Sequence, residues 1–371
     1  MTERRQSKGI VRYAVVGQGY IAQGAVLPAF AHAKRNSRLV ALVSGDKLKR
    51  RELSAKYGAA AYSYEEYDSL LQSGVVDAVY IALPNDQHRD FTLRAARRGV
   101  HVLCEKPLAV SERECRTMIA ACRKHGVKLM TAYRLHFEQA TLAALDSVGK
   151  GLIGEPRLFN STFTMNVADR GNIRLQDPAV GGGTFYDIGI YCINAARKLF
   201  RSEPVEVLAM ATAPGLGDAE ESASAMLRFP GDRLATFCVS FAAGKTSEYR
   251  IVGAEGSIRA EPGYELASGL ELHITRGDKK KTVKYRKRDQ FAPELLYFSD
   301  CITKDREPEP SGEEGLADVR VIAALYKSAR TGRAVRLVQG RTRRQPTTRQ
   351  EIRRPPVRTM PKLINATPPS G

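Results

Sequence analysis

The chain reads as an α/β protein in two halves. A doubly wound parallel sheet comes first, and an α+β half built on a large, mostly antiparallel open sheet follows. Three observations predict this. The strand-like run Val11 to Val16 leads directly into Gly17-Gln18-Gly19-Tyr20-Ile21-Ala22 and then a helical pattern through Ala25, Val26, Phe30 and Ala33. Apolar runs of strand length then alternate with helical segments as far as Arg134, as a parallel sheet with crossover helices requires. From about Pro156, strand-like runs follow one another, which implies mostly antiparallel pairing. At 371 residues two domains are expected. The boundaries drawn are 1–135 for a dinucleotide-binding domain, 136–338 for a substrate-binding and oligomerisation domain, and 339–371 for a tail.

The glycine pattern is G-x-G-x-x-A between strand and helix. Gly17 permits the tight turn, Gly19 lets a pyrophosphate meet the backbone, and Ala22 keeps helix and strand close. Tyr20 and Ile21 open the helix, whose free N–H groups and dipole favour the phosphates. The second strand, Leu39 to Val43, ends in Ser44 where an NAD-binding chain usually carries an acid. Lys47, Lys49 and Arg50 follow. Ser44 as donor with Lys49 or Arg50 as countercharge suits a 2′-phosphate, so NADP is preferred. Asp46 keeps NAD open, and the three cations also fit a solvated helix face.

Val75 to Leu83 is the next strand, followed by Pro84-Asn85-Asp86-Gln87-His88 and a helix. Ligands of open parallel sheets sit beyond the carboxyl ends of strands. Leu83, Asn85 and His88 are therefore placed near a cofactor, although His88 can instead brace the helix start. Val100 to Cys104 ends in Glu105-Lys106-Pro107, aimed at the same crevice. Ser111 and Glu114 form a capping box. Lys128 to Arg134 closes the sheet, with Tyr133 and Arg134 at its crevice end.

In the second half, Gly181-Gly182-Gly183 allows close backbone approach. Asp187 and Tyr191, four residues apart on the helix that follows, share a face. A carboxylate and a phenol side by side suit a polyol and a proton transfer. The alternative is a glycine loop before a buried structural helix. Strands are expected over Arg157–Met165, Val205–Ala213, Ser224–Phe229, Leu234–Phe241, Tyr249–Val252 and Leu270–Thr275, with a helix over Phe185–Phe200. Ser311 and Glu314 suggest another capping box, before a helix ending near Gly332.

The net charge is +18, of which residues 341–371 carry +7 and the remainder +11. Such a field favours an anionic partner, but no nucleic-acid-binding motif accompanies it, and there is no Trp. The tail beyond Gln339, rich in Arg, Pro and Thr, reads as disordered. No apolar run is long enough to span a bilayer. Arg4-Arg5 precedes no signal-type apolar region, so a cytoplasmic location is expected. The six cysteines lack metal-type spacing and are expected to be reduced and buried; no metal is expected.

Several motifs, in order, resemble the family that groups glucose-fructose oxidoreductase with inositol dehydrogenases, Gfo/Idh/MocA. They are Val43-Ser44-Gly45, Leu83-Pro84-Asn85 with His88, Cys104-Glu105-Lys106-Pro107, Lys128-Leu129-Met130, Tyr133-Arg134, Gly181 to Tyr191, and Gly312-Glu313-Glu314-Gly315 with Asp318-Val319-Arg320. The resemblance is closest to the glucose-fructose oxidoreductase branch and covers Tyr13 to about Val338. It implies a Rossmann domain and a homodimer or homotetramer joined through the second sheet. It also implies that the last helix packs back on the nucleotide domain. Lys106 is then the catalytic-site lysine, Asp187 binds substrate hydroxyls, and Tyr191 is the acid/base. Tyr133 and Arg134 line the crevice, Arg174 reaches substrate or cofactor, and Ser44 and Lys49 hold the NADP phosphate. The long N-terminal arm and export signal of the glucose-fructose enzyme are not matched, because the first strand starts about ten residues in.

The expected function is NADP-dependent transfer of hydride between nicotinamide and C1 of a cyclic aldose, giving a lactone, or the reduction of a carbonyl sugar. Free tyrosine ionises near pH 10. Near neutrality such a base needs a positive charge beside it, which Lys106 and the oxidised nicotinamide supply. Two alternatives stay open: a dehydrogenase of another polyol with exchangeable cofactor, and a non-catalytic dinucleotide-sensing regulator.

Overall fold

The computed structural model describes residues 9–169, 171–215, 217–338, 344–357 and 360–368. The first sheet holds six strands: β1 Val11–Val16, β2 Ser37–Val43, β3 Ala60–Tyr62, β4 Ala78–Ile81, β5 His101–Glu105 and β6 Leu129–Ala132. Their spatial order is β3-β2-β1-β4-β5-β6, and every pairing is parallel. The order reverses between β1 and β4, which opens a crevice at their carboxyl ends. The edge strand β3, three partly exposed residues, is too short for any alternation to announce it. Strand β4 is shorter than the apolar run around it. Just before it, the Asp77 carboxylate binds Arg12, accepting from its backbone N–H and its guanidinium.

Local chemistry explains where the flanking helices start. The Asp46 carboxylate caps Lys47–Tyr57, accepting from the Leu48 and Lys49 N–H groups. Ser111 caps Glu112–Lys124 by accepting from the Glu114 N–H, as expected. Ser311 makes no such bond at the start of Gly312–Thr331. The capping box expected there fails because Glu314 is drawn instead to Arg197 and Lys198.

The second sheet holds nine strands: β7 Pro156–Asn166, β8 Glu206–Ala211, β9 Ser222–Phe229, β10 Arg233–Ser240, β11 Ala242–Gly253, β12 Gly256–Ala260, β13 Leu270–Arg276, β14 Lys279–Tyr285 and β15 Val335–Arg336. The order is β14-β13-β12-β11-β7-β10-β9-β8-β15. Among the described residues only β7 and β10 pair in parallel in this sheet; the other pairings are antiparallel. One face, including Phe159, Ala209, Leu227 and Phe237, packs with Ile190, Ile193 and Leu199 of the helix Ile190–Phe200 in the larger core. The opposite face leaves Leu158, Leu208, Met210 and Met226 exposed.

Two late helices return to the first sheet. Ala292–Thr303 covers one face with Leu295, Leu296 and Phe298, and the Tyr13 hydroxyl lies 2.8 Å from Ser299 Oγ. Helix Gly312–Thr331 puts Leu316 and Val319 into the first core and Val321, Ile322 and Leu325 into the second. It therefore joins the two halves. Among the described residues no helix is long and apolar enough to cross a membrane. Five cysteines are buried as expected, but Cys238 is exposed because it points to the open face of β10.

The tail differs from its disordered reading where it is described. Ile352 and Ile364 pack against the core between the first sheet and Ala292–Thr303, and Gln350 Nε2 donates to the Glu309 carbonyl at 2.9 Å. Residues 339–343, 358–359 and 369–371 lie outside the described residues.

Candidate active site

A cavity of about 730 Å³ opens where the carboxyl ends of the first sheet meet the helix after the three glycines. At its nucleotide end, Gly17 has φ +89°, and a Cβ there would lie 2.4 Å from the Ala82 carbonyl oxygen. The turn therefore needs glycine to sit against β4. A Cβ on Gly19 would meet nothing within 4 Å, so the space before this helix start is free for a ligand. Tyr20, Ile21, Ser44 and Lys49 complete this wall. The helix widens at Ala22–Val26, where its bonds run in π fashion. Pro28 supplies the cause, since it has no N–H for the ordinary bond back to Gly24. Free helix N–H groups, an open glycine and a cation fit a dinucleotide's phosphates.

At the other end, Leu83, Asn85, Glu105, Lys106, Arg134, Arg174, Asp187 and Tyr191 line the cavity. A second π turn, Phe185–Gly189, carries Asp187, and Tyr191 stands on the following helix. Lys106 Nζ donates to the Asp187 carbonyl at 2.7 Å and to Oδ1 at 3.2 Å. Arg174 Nε donates to Asp187 Oδ2 at 2.6 Å. Burial alone would raise the Asp187 carboxyl, but Arg174 and Lys106 outweigh it and hold it at about 2. Burial likewise works against the Lys106 ammonium, and the neighbouring Tyr191, Asp187 and Glu105 raise it regardless. The Tyr191 ring lies 4.7 Å from Lys106 Nζ and 5.0 Å from the Arg134 guanidinium. Phe163 and Tyr264 of the second half close the corner around it.

The three glycines do their work against protein. Gly181 has φ +92°, and a Cβ on it would stand 2.5 Å from Asn85 Cβ. Asn85 Nδ2 donates to the Gly181 carbonyl at 2.6 Å. The close approach thus fastens the segment before the helix that carries Tyr191 to the loop after β4.

Two expected site residues lie elsewhere. His88 is fully buried, its ring nitrogens 3.0 Å from the Pro107 and Leu83 carbonyls. It braces the loops behind the cavity and does not line it. Tyr133 points away, its hydroxyl bonded to Asp318. Alternation explains this: Ala132 and Arg134 line the cavity, so the residue between them faces the opposite side. Sequence reasoning missed Phe163, Tyr264 and Gln290, which hold Tyr191 and Arg134 in place. Phe163 lay within an expected strand. Tyr264 and Gln290 sit in loops with no periodic signal.

Residues 11–133 match the family model for an oxidoreductase family with an NAD-binding Rossmann fold. Residues 141–259 match the GFO/IDH/MocA C-terminal domain. The chain belongs to the GFO/IDH/MocA oxidoreductase family. It is 31% identical to a D-xylose 1-dehydrogenase [NADP(+)] of Haloarcula marismortui, over 90% of this chain and 95% of that one. Among solved structures it resembles the aldose-aldose oxidoreductase of Caulobacter crescentus, crystallised with glycerol. That match has 37% identity and a TM-score of 0.84, and it covers 88% of this chain and all of the other. A 3-ketoreductase of Actinomadura kijaniata in complex with NADP and TDP-benzene matches at 26% identity and a TM-score of 0.78. It covers 86% of this chain and 98% of that one. As a member of this family the chain is an oxidoreductase, and these relatives include enzymes named for acting on sugars.

Proposed function

We propose that the protein is an NADP-dependent sugar oxidoreductase that interconverts a cyclic aldose and its lactone, or reduces a carbonyl sugar. The observation that carries this reading is Tyr191 between Lys106 and Arg134, facing a cavity that continues to an open glycine turn. When bound, the nicotinamide supplies or accepts the hydride. Asp187, ionised at neutral pH, accepts hydrogen bonds from sugar hydroxyls on the lone pairs that Lys106 and Arg174 leave free. It is too acidic to take a proton there. That role falls to Tyr191, which as the phenolate takes the anomeric hydroxyl proton during oxidation and as the phenol returns it during reduction. Lys106 and Arg134 stabilise negative charge developing on the oxygens beside them.

NADP is favoured over NAD by the β2 terminus. Ser44 stands where an acid would hold the ribose, and Lys49 lines the same wall. Both oxygens of Asp46 are already engaged, one capping a helix and one bonded to Asn365. The relatives named for NADP agree. The exposed apolar face of the second sheet supports assembly into a homodimer or homotetramer.

Replacing Tyr191 with Phe tests the mechanism. Turnover of NADP with an aldose should fall by about 10²–10⁴-fold, the usual worth of a general acid–base, while NADPH fluorescence on binding stays intact. Equal turnover would remove Tyr191 from the chemistry.

A further inference from the structure

The C-terminal segment forms a wall of the same cleft. Val357, Met360 and Pro368 line it. Met360 lies against Gly24, one helical turn beyond Gly19, with its Sδ 3.1 Å from where a Cβ on Gly24 would stand. Ile364 makes a closed pair of bonds with the buried amide of Gln23. The Ile364 N–H donates to Gln23 Oε1 at 2.8 Å, and Gln23 Nε2 donates to the Ile364 carbonyl at 2.9 Å. The same Nε2 donates to the Gln18 carbonyl, inside the glycine fingerprint, at 2.9 Å. Asn365 Nδ2 donates to Asp46 Oδ2 at 2.8 Å, beyond the end of β2. The segment thus runs from the phosphate end of the cleft to its adenosine end. Upstream it is moored by Gln350 on Glu309 and by Arg354 Nε on the His32 carbonyl.

With this segment in place the cleft still encloses about 730 Å³, a volume typical of a ligand site. The segment is therefore a wall of the cleft, not a plug in it. We infer that Met360, Ile364, Asn365 and Pro368 belong to the dinucleotide site and act as a strap that slows nucleotide release. Nucleotide leaving past the helix start must move against them. The inference rests on the dinucleotide reading of the cleft.

The test uses full-length protein carrying Ile364→Pro and Asn365→Ala together. The first change removes the N–H that Gln23 accepts, and the second removes the bond to Asp46. NADPH release is followed by its fluorescence during a chase with excess NADP. Release should quicken about tenfold, the size expected for a few lost hydrogen bonds. Unchanged release would overturn the strap and leave the dinucleotide reading standing. Faster entry with tighter equilibrium binding would show an obstructing segment, which also overturns it. Failure of the parent protein to bind NADPH would defeat the reading of the cleft, and the strap with it. A second readout is tryptic cleavage after the exposed Lys362. Saturating NADPH should slow it in the parent protein and not in the variant; equal rates in all four samples would count against the strap.

Discussion

Two clusters in this molecule are built from the same groups. In one, Lys106 and Arg174 flank Asp187 beside Tyr191. In the other, Arg197 and Lys198 meet Glu314 and Asp318 beside Tyr133. The first faces a cavity and keeps lone pairs free for a ligand. The second is sealed: Arg197, Glu314 and Asp318 have side chains no more than 2% exposed, and Asn194 adds donors to both carboxylates. Burial works against the Glu314 carboxylate, yet Arg197 and Lys198 hold it well below the usual range. Burial dominates at Asp318 and pushes its carboxyl up, with Glu314's charge beside it. The helix Gly312–Thr331 brings these carboxylates to the helix that carries Tyr191. Identical chemistry becomes a site or a rivet according to whether solvent space adjoins it.

The sharpest way to break this comparison is to truncate one cation in each cluster. Arg197→Ala leaves Glu314 and Asp318 buried without their main partner, and a loss of about 3–5 kcal/mol is expected. Urea denaturation should show it as a lower midpoint, with activity per folded molecule retained. Lys106→Ala should do the reverse, lowering kcat by about 10²–10³-fold, as loss of an electrostatic stabiliser does, with a smaller fall in midpoint than Arg197→Ala because Arg174 still pairs with Asp187. If Arg197→Ala lost activity without losing stability, the closed cluster would be catalytic and the distinction would fall.

How much of this was legible beforehand depends on how local each signal was. Gly17, Gly19, Ser44, Lys106 and Arg134 stand at strand ends, and strand ends of a doubly wound sheet converge by topology alone. They line the cavity. Asp187 and Tyr191 were paired by helical spacing, which a π turn altered without separating them. Their partner Lys106 is 81 residues away from Asp187, and only the family resemblance united them. Tyr133 and Asp318 carried the same kind of signal and turned out to belong to the closed cluster. Nothing in the composition of a Pro- and Arg-rich tail could announce that Met360 or Ile364 would find a seat against the first helix.

Acid provides a smaller and graded distinction. Asp187 is held at about 2 with its side chain 20% exposed, against about 3.9 when unfolded. Its folded value is depressed, so it contributes stability above about pH 4 that is lost as the pH falls toward 2. The contribution is about 2 kcal/mol. Asp187→Asn should therefore flatten the fall in stability between those values. In the closed cluster Glu314 acts in the same direction and Asp318 in the opposite one. Asp318→Asn should leave the acid slope unreduced, and thermal melts across that range read both outcomes.

The smallest expected effect lies at the nucleotide end and asks whether a single half-buried cation chooses the cofactor. Lys49 is tethered to no carboxylate in the described residues, and it lines the cavity near Ser44. A 2′-phosphate placed there gains one partly screened ion pair, worth at most about 1 kcal/mol. Lys49→Ala should therefore weaken NADP binding only about fivefold, by the same arithmetic. The effect should shrink as salt is raised, and NAD affinity should not move. Titrating both nucleotides at low and high ionic strength separates the outcomes. Equal weakening of NAD and NADP would place Lys49 on the pyrophosphate. No change in either would leave Lys49 on the solvated face of its helix and return the cofactor preference to Ser44 alone.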